Sequence, residues 1–109
     1  MSSKRLEMLE HLIAQGTRDP FHHYAYALEL RSIGKSDAAF EKLKEIVKQF
    51  PEYVPAYLMG AQLAFDLGRF DEGMAMAQAG IEVAERSKDS RTVRELMGII
   101  DTARKKEER

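Results

Sequence analysis

The stretch Gly34–Phe40, "GKSDAAF", returns 34 residues later as Gly68–Met74, "GRFDEGM", and this spacing decides how the whole chain is read. Each glycine precedes a short polar turn and then a run with helical character. Moving outward by the same step, Ala27 falls on Ala61, Ile33 on Leu67, Asp37 on Asp71 and Ala39 on Gly73. Carried backward, the step aligns Leu6 with Phe40 and Met74, Leu9 with Leu43 and Ala77, Leu12 with Ile46 and Gly80, and Ile13 with Val47 and Ile81. The columns that repeat are small and apolar, as expected of units that bury one face against their neighbours.

Within each period the apolar spacing is helical. Tyr26, Ala27, Leu30 and Ile33 follow at steps of one, three and three and share a face, where strands would alternate. Asp19-Pro20 reads as an N-cap followed by proline in the first turn, where its missing N–H is harmless. Gly34 supplies the permissive backbone that ends this helix, Ser36 or Asp37 is expected to cap the next, and Phe50-Pro51 closes it. A second pair is predicted at about residues 53–67 and 70–86. Ahead of the first pair, Ser2 or Ser3 starts a lone helix reaching Gln15. Behind the last, "SRTVRELMGIIDTARKK" forms another, ending in "RKKEER", a solvated helix end. Its Val93, Leu96, Met97, Ile100 and Ala103 match Tyr57, Gly60, Ala61, Ala64 and Leu67 at a shift of 36, which predicts a connection two residues longer. Four of these, Val93, Leu96, Met97 and Ile100, are expected to face inward.

Composition narrows the function classes. A chain of 109 residues amounts to one domain, and 44% hydrophobic with 32% charged residues suits an ordinary folded protein. Seventeen basic residues against 18 acidic ones leave a net charge of -1, so no field draws nucleic acid or an anionic membrane. The absence of cysteine excludes disulfides, thiolate metal sites and a cysteine nucleophile. Glu7, Glu10 and His11 interrupt the apolar residues at the start, so no secretory signal is read there, and no run approaches the ~20 residues of a membrane span. A cytoplasmic location is the expectation.

Apparent chemistry dissolves on inspection. "GKS" at Gly34–Ser36 lacks the earlier glycine of a phosphate-binding loop, since position 29 holds Glu29, and no strand precedes it. His22 and His23 are adjacent and point about 100° apart on a helix, so they do not grip one metal. Asp71-Glu72 suits a helix start. No catalytic residue, metal site or cofactor is expected, and His23 reads as a packing residue.

Residues 20–53 and 54–87 resemble tetratricopeptide repeats, helix-turn-helix units of 34 residues. The second unit supplies Tyr57, Ala61, Gly68, Phe70, Gly73, Ala77 and Gly80, with Glu85 where proline is usual. The first supplies Ala27, Gly34, Ala39, Leu43 and Pro51, with His23 at the aromatic position and Ile46 at a small one. The resemblance implies one all-α domain over 1–109, a right-handed α-solenoid of antiparallel helix pairs with about six helices. Segments 2–16 and 89–106 would then be capping helices.

A second stripe runs along the first helix of each pair: Phe21, Tyr24, Leu28 and Arg31, then Pro55, Leu58, Gln62 and Phe65. In the family these positions line a concave groove. Members that bind chaperone C-terminal carboxylates carry lysine, asparagine and arginine there, whereas this chain has Tyr24, Leu58, Leu28 and Gln62, with Arg31 as the groove cation. The resemblance therefore implies a non-catalytic adaptor binding an apolar peptide or helix of a partner protein. The alternative is a structural homo-oligomer, in the simplest case a homodimer, assembled through the same apolar surface.

Overall fold

The computed structural model describes residues 3–108. Six helices make up nearly all of it: α1 (Lys4–Ala14), α2 (Pro20–Ser32), α3 (Ser36–Gln49), α4 (Val54–Asp66), α5 (Phe70–Arg86) and α6 (Ser90–Glu107). No strand occurs among the described residues, and the fold is an all-α solenoid of antiparallel pairs. Each helix packs on the next, and α4 also reaches α6. The body measures 41 × 32 × 19 Å, its thin dimension being two helices of about 10 Å side by side. One layer holds α2, α4 and α6, the other α1, α3 and α5.

The turns explain the period. At the end of α2, Gly34 adopts φ +86°, its N–H donates to the Arg31 carbonyl, and the Lys35 N–H donates to the Leu30 carbonyl. This paired closure satisfies carbonyls that the helix end would orphan. The same two bonds recur at Gly16, at Gly68 and at Lys88, a non-glycine residue held at φ 59°. The closing residue is used twice, since the Lys35 carbonyl accepts from Ala39 and the Arg69 carbonyl from Gly73, the first bonds of the following helices. That economy corrects one expectation: Ser36 lies inside α3, Lys35 occupies the cap, and no side chain caps it. Helices α4 and α5 likewise start without a side-chain cap, whereas α1, α2 and α6 have one. Ser3 Oγ accepts from the Leu6 N–H at 2.9 Å, Asp19 from Phe21 at 2.9 Å, and Asp89 from Thr92 at 3.1 Å. Ser2, the other candidate at the first of these, is outside the described residues.

The two extra residues after the second pair lie elsewhere than expected. Helix α5 has 17 residues against 14 in α3, while the segment after it is shorter. The reason is Glu85: Pro51 stops α3, and nothing at the matching position stops α5.

The core is centred on α4, which buries Ala56, Tyr57, Gly60, Ala61, Leu63 and Ala64. Phe40, Leu43, Ile46 and Leu96 are the largest side chains fully enclosed around it. Glycines set the distance between α4 and α5. A Cβ on Gly80 would stand 2.6 Å from the Tyr57 Cβ, one on Gly73 2.6 Å from the Phe65 ring, and one on Gly60 2.9 Å from the Met76 methyl. The Tyr57 hydroxyl donates to the Pro51 carbonyl at 2.8 Å, tying the start of α4 to the end of α3. Helix α1 buries Leu6 and Leu9 and half-buries Leu12 and Ile13. Helix α6 buries Thr92, Leu96, Ile100 and Ala103, so Met97, expected inward, is 53% exposed instead. Its equivalent Ala61 is sandwiched between neighbours, whereas α6 has helices on one side only.

On the α1, α3 and α5 layer, Arg69 joins α3 to α5. Its guanidinium lies 4.6 Å from the Phe40 ring centre and takes Glu72 through Nε at 2.7 Å and Nη2 at 3.1 Å, with Glu41 also at 3.1 Å. Lys44 bridges the same two carboxylates at 3.2 and 3.0 Å. Hydrogen bonds from Lys44 and Arg69 hold the Glu41 carboxyl below its ordinary 4.5, and those from Arg69 and Lys44 do the same for Glu72. A carboxyl with a folded pKa below its unfolded one contributes stability above the unfolded value and loses it as pH falls.

Three measurements check these relations. Gly80→Ala should lower the unfolding free energy by about 1–3 kcal/mol, because the added methyl meets a Cβ that is nearly backbone. Gly98→Ala, with nothing within 4 Å of its Cβ, should raise it by up to about 1 kcal/mol in the same urea titration. Lys88→Gly should raise the thermal midpoint by relieving the left-handed backbone, an increment of about 1 kcal/mol. Acid titration of wild type should show stability falling below pH 4.5, and Arg69→Met should flatten that part of the curve.

Candidate binding surface

The α2, α4 and α6 layer carries the second stripe, and the structure gives each of its residues a place. Phe21 sits in the first turn of α2, 54% exposed. Tyr24, one turn on, is half-buried with its ring edge-on to Tyr53 at 5.6 Å, and burial pushes its hydroxyl above the ordinary 10. Leu28 is half-exposed, and Arg31 in the last turn reaches across to the Met59 sulfur at 2.8 Å. On α4, Leu58 is half-buried against the core. Gln62 is exposed and donates to Asp66 at 3.0 Å. Phe65 fills the space above Gly73 and meets Phe70 at 5.7 Å. Phe65 is therefore as much a packing residue as a surface one.

Pro55 is exposed in the first turn of α4, and of the eight stripe residues the structure brings only Gln62 and Phe65 into one cleft of about 620 Å³, closed on its far side by α6. Phe21, Tyr24, Leu28, Arg31 and Leu58 do not line it. Sequence reasoning missed the α6 wall, made by Gly98, Ile99 and Thr102. The signal was present: the shift of 36 that aligns α6 with α4 sets Gly98 on Gln62 and Thr102 on Asp66. Treating α6 purely as a cap hid it.

The surface has a charge gradient. Arg31 stands in the last turn of α2, whereas α4 has no basic residue in its last turn and carries Asp66 there. The partial negative charge of a helix C-terminus adds to that carboxylate. The two histidines of α2 do structural work. His23 is buried with its ring 5.5 Å from Phe50, and its Nε2 donates to the Thr17 carbonyl at 3.0 Å. His22 Nδ1 meets the Thr17 hydroxyl at 2.8 Å. Among the described residues no group of three or more histidine, aspartate or glutamate side chains is placed to hold a metal ion.

Comparison with known proteins gives the same architecture. The family model described as tetratricopeptide repeat matches residues 32–95. A crystal structure of a tetratricopeptide repeat domain protein from Salinibacter ruber is 30% identical, with 80% of this chain and 97% of that one covered at a TM-score of 0.73. A solution NMR structure of a tetratricopeptide repeat domain protein from the same organism is also 30% identical, covering 79% and 87% at 0.74. No curated protein sequence matches the chain. The repeating turns, the glycine-set helix pairs and these matches together place the chain in the tetratricopeptide repeat family.

Proposed function

We propose that the chain is a non-catalytic adaptor, one domain over 1–109 with repeats at 20–53 and 54–87 between capping segments 2–16 and 89–106. It binds a peptide or helix of a partner protein along the α2, α4 and α6 face. The family's fold in general mediates protein–protein interaction, and no described helix is long and apolar enough to cross a membrane. We assign the adaptor to the cytoplasm. The observation that carries the reading is the apolar run of the exposed Phe21 with the half-exposed Tyr24 and Leu28 on the same layer as the cleft at Gln62 and Phe65. An exposed apolar run of this kind favours an interaction site, and its aromatics are suited to anchor a ligand.

The variants that test it must avoid the core. Phe65→Ala would open a gap over Gly73 and lower stability by on the order of 2 kcal/mol, so loss of binding there would be uninformative. Phe21→Ala combined with Leu28→Ala should leave the thermal midpoint within a few degrees while removing proteins that the immobilised wild-type chain retains. Identical retention by wild type and the double variant would place binding elsewhere.

A further inference from the structure

Two helices carry a face with no helix upon it. Every inner helix has neighbours on both sides, whereas α1 packs chiefly on α2, and α6 on α5 and α4. Among the described residues three large apolar side chains are more than half exposed: Phe21 on the face already described, Met8 on α1 at 58% and Met97 on α6 at 53%. The last two mark the open faces.

The repeat register says what belongs there. Helix α1 corresponds to α5 at a step of 68, so Arg5, Met8 and Leu12 occupy the positions of Gly73, Met76 and Gly80. These are the α5 residues that meet Phe65, Gly60 and Tyr57 of α4. Helix α6 corresponds to α4 at a step of 36, so the three positions on the α4 side become Asp101, Leu96 and Val93. Placing α1 of one copy on α6 of another in that register, but at a wider spacing because Arg5, Leu12 and Leu96 stand where the α4–α5 seam has Gly73, Gly80 and Gly60, opposes Arg5 to Asp101. It seats Met8 beside the exposed Met97, and Leu12 against Val93, while Leu96 stays buried in its own chain. Leu12 and Val93 are both half-exposed in the single chain. Asp101 is exposed and makes no ion pair among the described residues, and Arg5, 59% exposed, pairs with Glu29 at 3.2 Å. Apolar faces apolar, and the one charged pair is of opposite sign.

We propose that copies of this chain associate head to tail, α1 of one docking on α6 of the next in the place that α5 takes on α4. The two surfaces differ, so the contact is heterologous and adds copies in a row instead of closing on a dimer. A single helix seam falls below the ~1,200 Å² of stable complexes, so the association is weak and shows at high concentration.

Sedimentation velocity from about 10 μM to about 2 mM tests it, a range set by the weak end of protein association. Wild type should rise from 12.4 kDa past twice that mass without a plateau. Met8→Glu and Met97→Glu change exposed residues, and circular dichroism should show wild-type helix content in both. Each alone should remain monomeric, because each retains only one of the two faces. Mixed, they should form a 1:1 complex that grows no further, through α6 of the Met8→Glu chain and α1 of the Met97→Glu chain. Asp101→Arg should weaken wild-type association roughly three-fold, and adding Arg5→Asp should restore it. A constant 12.4 kDa throughout, a plateau at the dimer, or two variants that fail to combine on mixing would each overturn the proposal.

Discussion

The contact on which the rest depends is the near-touching of α4 and α5. Gly80 leaves no room between its backbone and the Tyr57 Cβ, and Gly73 and Gly60 admit the Phe65 ring and the Met76 side chain in the same seam. Packing this tight gives dispersion attraction to backbone as well as side chains, and it fixes the crossing of the pair. Once α4 is held there, its other flanks are available to α3 and α6, and its buried alanines let both come close. Tyr57 shows the linkage well. Its Cβ abuts Gly80 on one side, and its hydroxyl secures the Pro51 carbonyl on the other.

Much of this was legible because a repeat fold writes the same instruction several times. Gly34 and Gly68 marked the turns, Asp19-Pro20 marked a start, and the aligned columns named Phe40, Leu43 and Ile46, all found fully buried. What escaped was whatever depends on neighbours. Met97 reads like Ala61 by spacing, but burial needs a helix on each side, and spacing along one chain does not count helices. Ser36 is a good capping residue by type, yet the turn ahead of it uses Lys35 for two purposes and leaves no place for a separate cap. Lys88 performs a glycine's task without being glycine, so no compositional cue announced that turn.

The exposure pattern of the candidate surface was legible in part for a related reason. The sequence stripe correctly separated Phe21 and Arg31, both exposed, from the buried Ala27 and Leu30. It did not foresee that Phe65 is drawn down over Gly73, because the missing side chain that makes room for it lies on another helix. Nor did it place α6 along the cleft, where Gly98 leaves open floor. Along this face a cation ends α2, an anion ends α4 and basic residues end α6, so the charge alternates across the three helices.

Each helix packs mainly on its neighbours in sequence, and that has a kinetic consequence. Such a chain has low contact order: little loop must be closed before a native contact forms, so folding is fast and can start in any one hairpin. The α4 and α5 hairpin, with the closest seam, is the favoured nucleus, and structure then spreads outward by adding one helix at a time. Run in reverse, the native state frays from α1 and α6 while the middle stays closed. Backbone amides in those outer helices therefore exchange with solvent through local opening at a free energy below that of global unfolding.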